Sequence, residues 1–382
     1  MKKSILFCCH SFEMGGIQKC MINLLNAMDT TKYEIDVLAL HPSFELLDLL
    51  QADVNLLDTY KYIMTKYGTF EYLKRNKASL TKYLKYYVFR LVNKLGKQSW
   101  KLYTAPEKEY DIAIAYAHNG QVPYYVIDCV KAKKKYMWHH EGRCPRDEYY
   151  PLMKKYYPVY DGIIAVSNSD REILVNEFPE IRENVKVLYN VIPKEEIRQK
   201  AKETIKISKK NKIKLVTVGR MSQQKGPDLL IETARKLVRD GYEFIWYWVG
   251  DGVMMEDMKA MIEKNHLSEQ VSLLGNRKNP YPYIQMCDIY VQPSYYEAYC
   301  TTTLEAQVLE KPIVVTDVPG MREQFGEEEG KIVPVDSEKI CAAIEELIDH
   351  PITCKQMSEK LHEKMYTEDH TLDGYYRLFD QE

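Results

Sequence analysis

The chain has 382 residues, 45% of them apolar and 28% charged, with a formal net charge of −2. That balance excludes wholesale disorder, collagen-like and coiled-coil readings, and the length predicts two or three domains. The small net charge hides an asymmetry: between Tyr60 and Ala105 stand eleven Lys and Arg against one acid, Glu71, so a near-neutral total does not describe the surface.

The start, Met1-Lys2-Lys3-Ser4-Ile5-Leu6-Phe7-Cys8-Cys9-His10, has a basic lead but lacks the longer apolar core and small-residue cleavage site of a signal peptide. Ser4–Cys9 therefore reads as a first strand. Gly16–Ala27 reads as a helix, Tyr33–Leu40 as a strand and Ser43–Gln51 as a helix. In the basic segment Leu80, Tyr83, Leu84, Tyr87, Leu91 and Leu95 recur at helical spacing, which predicts an amphipathic helix over Ser79–Leu95 with a lysine-rich polar side. Ile112–Tyr116, Lys135–Trp138 and Ile163–Val166 are short apolar runs that fit parallel strands covered on both faces. Asn190–Ser208, with Pro193 and a run of Lys and Glu, is the best linker.

A second series follows it. Lys214–Val218, Phe244–Val249, Val271–Leu274, Ile289–Gln292 and Ile313–Thr316 read as strands. Between and after them, Pro227–Asp240, Met254–Asn265, a short segment ending near Cys287, Thr302–Leu309 and Ser337–Asp349 read as helices, as does the tail after Pro351. Two βα series in one chain predict an α/β protein of two doubly wound domains rather than one large sheet. The boundaries are 1–190, carrying the basic helical insert at about 60–105, and 191–365. A C-terminal helix follows over 366–382, for which a return to the N-terminal domain is one option. No window of 18 uncharged apolar residues occurs, so no transmembrane helix is expected. Nine scattered cysteines without a C-x-x-C fit reduced thiols in the cytosol, not a disulfide framework or a zinc site.

Three motifs carry chemistry. Gly15-Gly16 lies between the first strand and a helix, where paired glycines admit a ligand close to the backbone and the helix N-terminus favours an anion. A plain tight turn reads equally well, and without a third glycine the pair is not a dinucleotide fingerprint. Gly219-Arg220-Met221-Ser222-Gln223-Gln224-Lys225-Gly226 closes the first strand of the second series, at the edge where open α/β sheets bind ligands. Its Arg and Lys either clamp a diphosphate, the Arg as a fork and the Lys as a point charge, or stand as ordinary surface charges. Glu297-Ala298-Tyr299-Cys300-Thr301-Thr302-Thr303-Leu304-Glu305 sets one carboxylate in a loop at the sheet edge and the other in the first turn of a helix. The free N–H groups of that helix then face an anion between them.

Together with Gly250-Asp251-Gly252, Pro312 and Pro319-Gly320, these motifs resemble the GT-B retaining glycosyltransferases of family 4 (glycosyltransferase group 1). The likeness is strongest from Val216 to Phe325. It implies two Rossmann-like domains facing each other across a cleft that holds an NDP-sugar, most commonly a UDP-sugar in similar enzymes. By the same resemblance Glu305 receives the ribose hydroxyls and Glu297 faces the transferred sugar. Arg220 and Lys225, beside Gly219, hold the diphosphate and stabilise the charge that grows as the leaving group departs. Tyr299, Cys300, Thr301 and Thr302 complete the donor-binding stretch, Gly275-Asn276-Arg277 contacts the base, and Gly15 and Gly16 contribute from the other domain. His118 is set near the sugar as a further catalytic residue, with a histidine capping a strand end as the alternative. His139-His140-Glu141 is either an acceptor contact or a polar loop.

The sequence departs from the family at Ala298, where a glycine is usual and a Cβ limits positive φ. With no D-x-D in the chain and an Arg–Lys pair to neutralise the phosphates, neither a metal nor any cofactor is expected. The implied activity is retaining sugar transfer to a hydroxyl of a glycan or lipid-linked acceptor in bacterial cell-surface polysaccharide synthesis, by front-face attack. An inverting GT-B transferase and a catalytically inactive binding subunit are the alternatives. The expected location is the cytoplasm, with 60–105 either docking on an anionic inner membrane face or packing its leucines on the N-terminal domain. No nucleic-acid partner is expected.

Overall fold

The computed structural model describes residues 2–59, 79–96, 98–118, 120–144, 146, 149–207, 212–367 and 372–381. The chain divides into two units, Met1–Val191 with Leu372–Glu382, and Ile192–Thr371. In the first, β1 (Lys3–Cys9), β2 (Tyr33–Ala39), β3 (Asn55–Leu56), β4 (Tyr110–Ala115), β5 (Ala132–His139), β6 (Gly162–Ala165) and β7 (Val185–Val187) form one sheet ordered β3-β2-β1-β4-β5-β6-β7. Every pairing in it is parallel. Among the described residues the unit also contains α1 (Gly16–Ala27), α2 (Leu80–Gly96), α3 (Val122–Cys129), α4 (Tyr150–Tyr156) and α5 (Asn168–Glu177).

The strands form where they do because their residues are apolar on both sides. Ile5, Leu6, Phe7 and Cys8 of β1 are all fully buried, as expected of a parallel strand with both faces covered. The abundant tyrosines find their place beside this sheet. Tyr110 donates to Asp36 at 2.6 Å, and Tyr156 and the Trp100 indole both donate to Asp128, at 2.7 and 2.8 Å. These three rings thus fill the core while their polar ends stay bonded.

The second unit has the sheet order β10-β9-β8-β11-β12-β13, again parallel in every pairing. Its strands are β8 (Ile213–Val218), β9 (Phe244–Val249), β10 (Val271–Gly275), β11 (Ile289–Gln292), β12 (Ile313–Thr316) and β13 (Lys331–Val333). Its helices are α6 (Lys194–Lys200), α7 (Pro227–Arg239), α8 (Met255–Lys264), α9 (Tyr281–Met286), α10 (Thr301–Val308), α11 (Pro319–Arg322), α12 (Ser337–Asp349) and α13 (Pro351–Thr367). A last helix, α14 (Asp373–Asp380), belongs to the first unit. There Tyr375 donates to the Tyr189 carbonyl at 2.8 Å, Tyr33 donates to Asp380 at 2.7 Å, and Phe379 packs edge-on against Phe7.

Two expectations are corrected. Ser43–Gln51 is not a helix; it holds one 3-10 turn, Leu47–Leu49. Its backbone is engaged elsewhere: Phe12 N–H donates to the Ser43 carbonyl and Leu46 N–H to the Phe12 carbonyl, each at 2.8 Å. The Asn26 side chain takes the N–H groups of Gln51 and Ala52, and nine residues are too few to favour helix against such partners. The linker region contains α6, whose Ile197 is fully buried in the core of the second unit. Its Lys and Glu run pairs along the helix, Lys200–Glu196 at 2.6 Å and Arg198–Glu195 at 2.7 Å, as charges three and four residues apart do.

Candidate functional site

In each sheet the strand order reverses once, between β1 and β4 in the first unit and between β8 and β11 in the second. Open α/β sheets bind ligands outside the C-terminal ends of the strands flanking such a switch point. The loops leaving these four strands contain Gly15, His118, Gly219–Gly226 and Glu297.

In the second unit the loops after β8 and β11 are locked together. Gly226 adopts φ +67, and a Cβ there would stand 1.9 Å from the Pro293 carbonyl oxygen, so only glycine permits the crossing. Tyr295 N–H donates to the Gln224 carbonyl at 2.8 Å and the Gln224 amide to the Tyr296 carbonyl at 3.0 Å. Gly320 closes on the same loop from β12, with space for a Cβ only 2.3 Å from the Glu297 carbonyl oxygen. Ala298 is not among the described residues with positive φ, so its Cβ brings no backbone strain of the kind the missing glycine suggests.

This frame brings Lys225 and Glu297 together. Lys225 Nζ lies 2.6 Å from Glu297 Oε1, and Glu297 is 6% exposed. Burial pulls the Lys225 ammonium pKa down, but the Glu297 carboxylate more than offsets this and leaves it above its ordinary value. Ser294 donates to the same Glu297 oxygen at 2.6 Å, Gln292 donates to Ser294 at 3.1 Å, and Tyr290 donates to Gln292 at 2.8 Å. Sequence reasoning missed Gln292 and Ser294. Their signal was two polar residues, separated by Pro293, at the end of an otherwise apolar strand.

Arg220 is exposed, and Gly219 lies against the Lys225 side chain. Tyr299 and Cys300 are buried, and Cys300 stands at the N-terminus of α10 with its carbonyl taking Thr303 at 2.7 Å and Gln324 at 2.9 Å. The first turn of α10 carries no acid. Because the helix begins at Thr301, Glu305 sits in its second turn rather than its first, 2% exposed. Thr301 and Thr302 occupy the first turn, and Thr302 donates to Gln292 at 3.3 Å. Gly275 ends β10 at φ +68, and its carbonyl takes the Gly250 N–H at 2.9 Å. Asn276 and Arg277 are exposed beyond it, and Arg277 donates to the Tyr283 hydroxyl at 3.1 Å. The structure thus gathers Gly219, Lys225, Glu297, Cys300 and Thr302, and sets Asn276 and Arg277 on a separate turn.

In the first unit Gly15 precedes α1 in extended conformation, and Gly16 opens the helix with free space around it. His118 lies three residues past β4 and is 3% exposed. Its Nδ1 accepts the His140 N–H at 3.2 Å, which assigns the ring proton to Nε2, 2.8 Å from Glu141 Oε2. Arg143 donates to the other Glu141 oxygen at 3.1 Å. The His118 ring packs 4.6 Å from His139, whose Nδ1 lies 2.8 Å from Asp170. Burial lowers the His139 pKa less than Asp170 raises it, giving about 10. Burial dominates at His118, which is lowered, and at His140, lowered to about 3. Burial raises Glu141, but its bond to His118 takes it down to about 2. His139-His140-Glu141 is therefore no loose polar loop. It is a bonded cluster whose buried anchor, Asp170, the sequence reading missed.

Among the described residues one trio has metal-ligand spacing, Asp240, Cys341 and Glu345. It lies at the C-terminal end of α7, and Asp240 is held by Arg239 at 2.8 Å. None of the residues expected from the sequence to bind a donor belongs to it.

Two doubly wound parallel units, each with a polar cluster at its switch point, define a GT-B fold. The chain superposes on TarM of S. aureus, solved with UDP, with a TM-score of 0.71 at 15% identity over 99% of this chain and 100% of that one. HepE of Anabaena, solved with UDP-glucose, gives 0.65 at 16% identity over 94% and 93%. Residues 14–196 match the model for Glycosyltransferase Family 4 and residues 198–364 that for Glycosyl transferases group 1. The chain belongs to this family of glycosyltransferases. It is 34% identical over 189 residues to the N-acetylgalactosamine-N,N'-diacetylbacillosaminyl-diphospho-undecaprenol 4-alpha-N-acetylgalactosaminyltransferase of Campylobacter jejuni, covering 49% of this chain and 50% of that one. It is 28% identical over 166 residues to the UDP-Gal:alpha-D-GlcNAc-diphosphoundecaprenol alpha-1,3-galactosyltransferase of Escherichia coli, covering 41% and 43%. The match thus spans about half or less of these relatives' length.

Proposed function

We propose that the protein moves a hexosyl group from a UDP-sugar to a hydroxyl of a glycan or lipid-linked acceptor, with retention of configuration, in the cytoplasm and in bacterial cell-surface polysaccharide synthesis. The observation that carries this reading is the Lys225–Glu297 pair at 2.6 Å, at the switch-point edge beside exposed Arg220. The C. jejuni and E. coli relatives, both named as transferases acting on diphospho-undecaprenol sugars, support the lipid-linked acceptor. The HepE complex with UDP-glucose supports the donor.

In this reading Arg220 and Lys225 hold the diphosphate as the bond from the sugar C1 to the phosphate oxygen breaks. The acceptor oxygen bonds C1 from the same face and its proton passes to the leaving phosphate. Glu297 is already bonded by Lys225 and Ser294, which suits it to orient sugar hydroxyls rather than attack. The cations supply the neutralisation, so activity should be unchanged after EDTA treatment; loss that Mg²⁺ or Mn²⁺ restores overturns the metal-free reading.

Glu305→Ala should raise the donor KM more than it lowers kcat, because ribose contacts are similar in ground and transition states. An unchanged KM removes the ribose role. The function itself is tested by a thermal-shift screen against UDP-, GDP- and ADP-sugars, since a bound donor raises stability by RT ln(1 + [L]/Kd). Stabilisation by UDP-sugars is expected, followed by a product whose anomeric configuration, read by NMR, matches the donor. An inverted anomer refutes retention, and a donor that binds without transfer to any diphospholipid acceptor favours an inactive subunit.

A further inference from the structure

Helix α2, Leu-Thr-Lys-Tyr-Leu-Lys-Tyr-Tyr-Val-Phe-Arg-Leu-Val-Asn-Lys-Leu-Gly, is amphipathic, but Leu80, Leu84 and Leu91 do not turn to the core. Leu80, Leu84, Tyr87, Val88 and Leu91 are exposed by 86, 64, 56, 44 and 56%. Their spacing of four, three, one and three residues places them on one stripe of the helix surface. Among the described side chains of the helix the buried one is Tyr86, 5% exposed, which takes a bond from Arg90 at 3.3 Å and carries that guanidinium over its ring. The alternative in which the leucines pack on the N-terminal domain therefore does not describe Leu80, Leu84 and Leu91.

Five large apolar side chains on one outward stripe form a patch that soluble surfaces seldom leave bare. The helix contains Lys82, Lys85, Arg90 and Lys94 and no acid, and none follows before Glu107. A second copy of the chain is a poor cover, because pairing two such helices brings like charges together with nothing to neutralise them. An anionic bilayer answers both features, taking the apolar stripe at the acyl boundary and the cations among its phosphates. No helix of the described residues is long and apolar enough to cross a membrane, so α2 is suited to lie in the interface rather than span it.

We propose that α2 is an interfacial anchor that inserts its Leu80–Leu84–Leu91 stripe into an anionic membrane surface. This goes beyond electrostatic docking of a lysine-rich face, and it stands apart from the transferase reading because the test reads binding without turnover. Flotation with phosphatidylglycerol–phosphatidylcholine vesicles should recover the protein at low salt. Much of that binding should persist at 0.5 M salt, since apolar insertion is not screened as charge pairs are. Vesicles of phosphatidylcholine alone should bind it weakly.

Leu84→Ser with Leu91→Ser, both at exposed positions, should weaken binding by at least about tenfold. The variant should keep the wild-type melting temperature and donor-induced thermal shift. Lys82→Glu with Lys85→Glu should weaken binding mainly at low salt. Failure of the wild type to float overturns the proposal, as does a serine variant that binds like wild type. A concentration-dependent dimer that the serine variant abolishes, without vesicle binding, assigns the stripe to a second copy and equally overturns it.

Discussion

Arg220→Ala should lower kcat by about 10²–10³-fold while leaving the fold intact, because one charge-assisted contact to a departing diphosphate is worth a few kcal/mol in the transition state. The structural control is built in: Arg220 is exposed and makes no hydrogen bond or ion pair among the described residues, so its loss strips no internal partner. Lys225→Ala should lower kcat to a similar extent but also destabilise the second unit. It leaves Glu297, 6% exposed, with only the Ser294 hydroxyl on the oxygen that both now share, and a buried carboxylate deprived of its cation costs about 3–5 kcal/mol. Steady-state kinetics and chemical denaturation of both variants separate the two effects. Near wild-type turnover in both variants refutes the diphosphate assignment.

Asp170→Ala should cost the first unit about 3–5 kcal/mol, a large share of an ordinary domain's stability. Asp170 is fully buried, and its carboxylate holds His139 Nδ1 at 2.8 Å and the Gly142 N–H at 3.1 Å. The charge on His139 then sets a pH dependence. Its folded pKa of about 10 lies above the ordinary 6.5, so the folded state binds the extra proton. That stabilisation is complete below 6.5 and is lost as pH rises toward 10, with a slope of at most about 1.4 kcal/mol per pH unit. His140, lowered to about 3, acts in the opposite sense, and stability falls as pH drops below 6.5. Urea titrations from pH 5 to 10, with hydrogen exchange in β4–β6, should show a maximum near 6.5 whose alkaline limb flattens in His139→Gln. An unchanged alkaline limb in that variant refutes the charged pair.

Much of this architecture is legible in the sequence for a definite reason. Parallel strands buried on both faces, such as Ile289–Gln292 and Ile313–Thr316, read as unbroken apolar runs, and the structure returns both with the same limits. Elements resolved by competition between partners are harder to read. Ser43–Gln51 has helical spacing, yet Phe12 and Asn26 claim its backbone, and no local signal announces partners so distant in the chain. The E-x7-E spacing singled out two carboxylates but did not give the turn in which Glu305 falls, because the helix start depends on Cys300 and its bonds to Thr303 and Gln324. Asp170 was hidden for a related reason: it follows Ser167 as part of an ordinary helix start, and only the fold brings His139 to it. For α2 the periodicity gave the stripe, but which way a stripe faces is decided by what surrounds it.

The return of α14 to the first unit has a consequence for how the protein is made. A ribosome completes residues 192–371 before it supplies the strip that carries Tyr375, Phe379 and Asp380. The second unit is thus whole, as a continuous stretch, while the first still lacks a covering layer over Phe7 and the partner of the Tyr33 hydroxyl. Synthesis runs in one direction and completion in the other. The first unit to begin is the last to close, and through that interval its nascent sheet presents apolar surface to chaperones. A stop codon placed just before Asp373 leaves an intact second unit attached to an unfinished first one.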